Sequence, residues 1–376
     1  MPNPDIDYTR QIEQFEKLVV RNRWQVKRLP KWWPGVKRKP VIISEGDSWF
    51  DFPVKSLTDV LGVLLRYSIG LKNFGMDSKT NVIDFLSRDK KLDGIFLRLE
   101  RSGDHAKELM AKQPDRRNGV WEEKFPSQTL YTALQNKAVR KHLDAIVLSA
   151  GGNDMVDAVR HGVIQTYQGD WQQSYDSELM AMAAQEIAQY FLQAILYRDE
   201  FAPNAHMVTH TYAYAVHLHR GTTTEFDFSE AGKLIKELLK LLKVDMILAP
   251  LKMIGIDLTD LGDHQIISEA RLHTTFDELG WPANPVDEDD PKSGKGVHPE
   301  RAAFIRAMLD TLHAEMQRIP QLYQAQTGKT LQRFTCLDVR NEVQDAKYWA
   351  DFIHLNGDGY KIIARKFRNH LKDCMS

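Results

Sequence analysis

The chain has 376 residues, with 50 basic and 51 acidic side chains for a formal charge of −1, and 43% of it is hydrophobic. Such a composition fills a sizeable core and lacks the basic excess of a dedicated nucleic-acid binder. Two cysteines, Cys336 and Cys374, exclude a disulfide scaffold and a four-thiolate zinc site, and they mildly favour a reducing compartment.

The opening segment, Met1 to Tyr8, places charge and proline where a secretory signal needs a basic end followed by an apolar run. No run of about 18 apolar residues follows anywhere, so no spanning helix is expected. The expectation is synthesis as a soluble cytoplasmic protein, with signal-independent export left open. Residues 1–38, aromatic-rich and mixed in charge, read as an N-terminal helical arm packed on the remainder. Short apolar runs then appear at Lys39–Glu45, Asp93–Glu100, Asp144–Ser149, His206–His210 and Phe334–Val339. Runs this short, rich in β-branched residues and closed by glycine-bearing loops, read as buried strands. Helical patterns such as Glu178–Tyr197 and Arg301–Arg318 lie between them. The alternation predicts an α/β fold, a parallel sheet with helices on both faces, whose sites form beyond the carboxyl ends of the strands. Trp281–Pro299, with its Asp287–Asp290 acidic run, reads as a solvated loop rather than a metal site.

Four motifs fall at those strand ends. Gly46-Asp47-Ser48 closes the first strand, and a serine in a strand-to-helix turn exposes its hydroxyl beside a backbone N–H suited to developing negative charge. Taken alone, Ser48 reads more readily as a helix cap. Gly103 follows the second strand and Asn153, in Gly151-Gly152-Asn153-Asp154, the third. A glycine N–H and an asparagine amide are donors suited to an oxyanion. Asp351-Phe-Ile-His354 precedes the last helical stretch. An imidazole takes the proton of a hydroxyl nucleophile, and an aspartate three residues away can fold back to its other ring nitrogen. Asp47 and Asp154 read as loop braces that hydrogen-bond backbone amides.

Together the four blocks resemble the SGNH (GDSL-type) hydrolase superfamily. Ser48 matches the nucleophile, Ser102-Gly103-Asp104 the glycine block, Gly151-Gly152-Asn153-Asp154 the asparagine block and Asp351-Phe-Ile-His354 the last. The resemblance implies a three-layer α/β/α, flavodoxin-like domain over 39–376 with a five-stranded parallel sheet. It implies a catalytic Ser48, His354 and Asp351, an oxyanion hole of Ser48, Gly103 and Asn153, no metal or other cofactor, and hydrolysis of carboxylic esters. The chain departs from the family in the bulky Trp49-Phe50-Asp51-Phe52 after the nucleophile and in its length. Helical insertions, candidates for a lid or cap, are expected around 54–90, 155–200 and 221–300.

Around the site, Trp49, His210, Tyr212 and Tyr214 are candidates for substrate contact, with core packing of the tyrosines as the alternative. The aromatics after Ser48 tilt the expectation slightly toward an acyl group of some length. Residues 230–262 hold an amphipathic helix with a lysine-rich face. It is either an interfacial element meeting a membrane surface or acyl chains, or a hairpin packed on the sheet. Three readings follow: an esterase or lipase on lipid or phospholipid acyl esters, an acetylesterase on a glycan, or a non-catalytic scaffold. No nucleic-acid partner is expected. G-x-x-x-x-G-K-[ST] and G-x-G-x-x-G are both absent.

Overall fold

The computed structural model describes residues 8–30, 33, 36–47, 49–50, 81–100, 105–110, 112, 129–215, 275–284, 297–349 and 353–375. In chain order the elements used below are α1 (Tyr8–Arg28), β1 (Val41–Gly46), α2 (Val82–Ser87), β2 (Ile95–Arg98), α3 (Ala106–Leu109), α4 (Leu130–Gln135), β3 (Ala145–Ser149), α5 (Gly152–Ala158), α6 (Ser177–Phe201), β4 (His206–His210), α7 (Pro299–Gln317), β5 (Phe334–Leu337) and α8 (Gly357–Met375).

The five strands form one sheet in the order β2-β1-β3-β4-β5, every neighbouring pair parallel. This is the flavodoxin-like order that the family resemblance implies, and its strands fall at the apolar runs. All residues of β1 and β3 are buried, because helices cover both faces of the central strands. The edge strand β2 instead alternates buried and half-buried residues. The order reverses between β1 and β3, and such a switch point opens a crevice at the strand carboxyl ends.

The helices that close the layers are built for it. α6 is capped by Asp176, whose carboxylate accepts the Glu178 and Leu179 N–H groups at 2.9 Å each. It buries Ala184, Phe191 and Ile195 on its way from β3 to β4. Residues 155–200, expected as an insertion, thus include the crossover helix that covers the sheet. On α1, Phe15 and Val19 are buried, and the Asn22 side-chain oxygen accepts the Lys39 N–H at 3.0 Å, tying the arm to the start of the domain. α8 starts at an Asn356 cap that accepts from Asp358 and Gly359 N–H. A Cβ at Gly359 would lie 2.5 Å from Tyr348 O, so only glycine admits this approach. The greater part of 54–90 and of 221–300, including all of 230–262, lies outside the described residues, as do Asp51 and Phe52.

Candidate active site

β1 ends at Gly46, which is paired with Ser149 at the end of β3. A Cβ at Gly46 would stand 2.8 Å from Ser149 O, so the two strand ends close only around a glycine. The chain then turns. Asp47 N–H donates to Ser149 O at 3.0 Å, and Phe50 N–H donates to Asp47 O at 3.0 Å. The Asp47 carboxylate accepts the Trp49 N–H at 3.1 Å, an Asx turn spanning position 48. Ser48 itself lies outside the described residues, as do Gly103 and Asp351.

The turn is held from behind by a buried polar chain. Ser149 Oγ donates to Asp47 Oδ1 at 2.7 Å, and the Tyr212 hydroxyl donates to Asp47 Oδ2. His210 Nε2 is 2.9 Å from Ser149 Oγ, while its Nδ1 donates to Thr211 O at 2.6 Å. A carbonyl only accepts and a serine hydroxyl has one proton. With Nδ1 protonated toward Thr211 O, Nε2 is an acceptor, so the one Ser149 proton faces two acceptors, Asp47 Oδ1 and His210 Nε2. Burial pushes the His210 pKa down and the Tyr212 pKa up.

Three ties bring the motif loops to one rim. The Asp47–Ser149 hydrogen bond joins the first block to the end of β3. Trp49 Nε1 donates to Ile353 O at 3.1 Å, joining the turn around position 48 to the residue before His354. The Ala106 N–H donates to the Asp154 carboxylate at 2.9 Å, joining the loop after β2 to the start of α5. His354 is buried, with 2% of its surface exposed. Trp349 and Leu355 bridge beside it, and Asn356 N–H donates to Tyr348 O at 2.8 Å. Asn153 is half-buried in the first turn of α5, just after Gly151, whose φ of 102° is left-handed and favours glycine.

The contact candidates divide. Trp49, His210 and Tyr212 are buried against one another, with Trp49 stacked on His210 at 5.4 Å and set edge-on to Tyr212 at 5.1 Å. Their polar atoms engage Ile353, Ser149, Thr211 and Asp47. Phe50 is wholly buried, so neither it nor Trp49 presents a face to an acyl chain, and the slight tilt toward longer acyl groups loses that support. Tyr214 is half-buried and gives its hydroxyl to Asp310. It lines a polar cavity of about 180 Å³ with Arg306, Arg340, Asn341 and Gln344.

Asp47 and Asp154 do brace backbone amides as their positions suggest. The partners Ser149, His105 and Asp157 carry no motif of their own. The one local signal is His105-Ala-Lys-Glu108, a helix-start box in which the Glu108 carboxylate accepts the His105 N–H at 2.9 Å.

Electrostatics harden the contact between α3 and α5. Burial pushes the Asp154 carboxyl up to about 6, opposed by the Ala106 N–H. His105 Nε2 donates to Asp157 at 2.9 Å, and bonds to Asp157 and then Glu108 push its pKa up to about 10. A raised folded-state value stabilises fully below the unfolded value of about 6.5 and fades as pH climbs through about 10. We therefore expect the urea midpoint to fall between about pH 6.5 and about pH 10, with a shallower fall in Asp157→Asn. Because the imidazole is 34% exposed, solvent screens the pair and the effect is modest. Equal slopes in both proteins would remove the assignment.

Among the described residues, no three His, Cys, Asp or Glu side chains are grouped to hold a metal, and no helix is long and apolar enough to cross a membrane. No protein-family model and no curated protein matches the chain. In structure, it is similar to the lipase Lip_vut3 from a goat rumen metagenome, at 10% identity over 88% of this chain and 97% of that one, with a TM-score of 0.40. It is also similar to an extracellular lipase of Streptomyces rimosus, at 12% identity over 88% and 99%, with a TM-score of 0.41.

Proposed function

We propose that the chain is a serine ester hydrolase of the SGNH type. In this reading His354 takes the Ser48 proton as Ser48 attacks an ester carbonyl, and Asp351 stabilises the imidazolium that forms. The Ser48 and Gly103 N–H groups and the Asn153 amide receive the oxyanion. His354 then protonates the leaving alcohol, and water releases the acyl group by the same path. The observation that carries the reading is the Trp49 Nε1 to Ile353 O hydrogen bond. It ties Trp49, just after β1, to the segment leading into His354, and the carboxyl ends of the strands are where such folds act. The substrate class is a carboxylic ester, either a lipid or phospholipid acyl ester or an acetylated glycan.

A fluorophosphonate probe tests the reading directly. A single adduct mapped by mass spectrometry to Ser48, with loss of p-nitrophenyl ester hydrolysis, is expected. An adduct elsewhere, or none, counts against it. p-Nitrophenyl acetate, butyrate and palmitate compared in one assay sort short from long acyl groups.

The Trp49 tie makes its own prediction. Trp49→Phe keeps a ring in place but removes the donor to Ile353. A kcat lowered by roughly 10- to 100-fold with little change in KM is expected from a small displacement of the imidazole. An unchanged kcat would mean that this bond does not position the base.

A further inference from the structure

We propose that the outward face of α1, with the described residues 33 and 36–39 that follow it, is a docking surface for an anionic phospholipid membrane. The near-zero net charge of the whole chain conceals a local excess. Residues 17–39 hold nine Lys or Arg, no Asp or Glu, and three tryptophans. Seven large hydrophobic side chains are exposed among the described residues, and five of them (Leu18, Val20, Trp24, Val26 and Trp33) fall within 18–33.

The arrangement on the helix is two-sided. Phe15 and Val19 are 3% and 2% exposed, on the face turned to the domain. Val20 and Trp24, 56% and 52% exposed, stand four residues apart and share an outward stripe. Some of the basic groups are spent on the fold: Arg23 and Arg38 pair with Asp144, Lys39 with Asp93, and Lys17 with Glu13. Arg21, Lys27, Arg28 and Lys37 have no acidic partner among the described residues, and the Arg28 guanidinium lies 5.8 Å from the Trp24 ring.

Charge complementarity selects an anionic partner, and the apolar side chains select a lipid one. Indole rings settle at the headgroup level, aliphatic side chains enter the acyl boundary, and Lys and Arg reach the phosphates. Exposed Leu18 and Val20 offer little to a nucleic-acid backbone. Asp144 and Asp93, which anchor this segment, lie just before β3 and β2, at the amino ends of the strands. The proposed catalytic loops lie at the carboxyl ends. Docking therefore localises the protein and stands apart from turnover, whichever ester is cleaved.

The test is co-sedimentation of the full chain with phosphatidylcholine vesicles, with and without phosphatidylserine. Binding only to the phosphatidylserine vesicles, weakened by salt, is expected. Arg21→Gln/Lys27→Gln/Arg28→Gln should weaken partitioning roughly 100-fold, at about fivefold per basic residue. Val20→Ser/Trp24→Ala should weaken it too while leaving the salt dependence in place. Hydrolysis of soluble p-nitrophenyl acetate and the unfolding midpoint should be unchanged in both variants, which face solvent. Equal binding to both vesicle types, no binding, variants that bind like wild type, or retention on duplex DNA without vesicle binding would each overturn the proposal.

Discussion

Ser48→Ala is expected to lower kcat for a p-nitrophenyl ester by about 10⁶-fold while leaving the unfolding midpoint unchanged. The size follows from losing covalent catalysis whole, with only binding and the oxyanion donors left to act. The bonds of Asp47 and Trp49 that frame the position come from their own backbone and side chains, so the fold keeps its turn. The useful control is Ser149→Ala. Ser149 also sits 2.9 Å from an imidazole, that of His210, and by distance alone it qualifies as an activated nucleophile. Its surface is wholly buried, so no substrate carbonyl can reach it. Activity that survives in Ser48→Ala and vanishes in a folded Ser149→Ala would transfer the role and end the present reading.

The second large effect is on stability. Asp47→Ala leaves two donors facing a void, Trp49 N–H and the Tyr212 hydroxyl, while Ser149 Oγ–H can turn to His210 Nε2. Stranding a buried donor costs about 1–3 kcal/mol, so a loss of about 2 kcal/mol or more is expected. It would appear as a lower urea midpoint with an unchanged slope. Asp47→Asn should fall between, since its amide oxygen still accepts while its NH₂ faces a tyrosine oxygen that can turn to accept. A midpoint for Asp47→Ala within error of wild type would show that water replaces the carboxylate and that the chain of bonds does not hold the turn.

The strands were legible because each is a short, almost unbroken apolar run, the pattern that burial on both faces imposes. Asp144–Ser149 and His206–His210 lie within a residue of β3 and β4, and Arg301–Arg318 nearly matches α7. The helical pattern at Glu178–Tyr197 lies within α6, which runs between β3 and β4. At the site, Gly46-Asp47 at the end of β1 and Gly151-Gly152-Asn153-Asp154 at the start of α5 were legible because one closes a strand and the other opens a helix. The packing behind them was not. Asp47 meets Tyr212 from 165 residues away, and Ser149 meets His210 from 61. No local pattern announces such a pairing, and Tyr212 and His210 drew attention only by standing at a strand end.

The Trp49–Ile353 bond spans 304 positions of the chain. A ribosome therefore delivers the two halves of the proposed centre at nearly opposite times, and the early half waits through most of translation for the late one. A growing chain would carry its hydroxyl group without a base to activate it. Nascent copies would then be harmless to esters around them, and chemistry would switch on only after the final helix has emerged and docked.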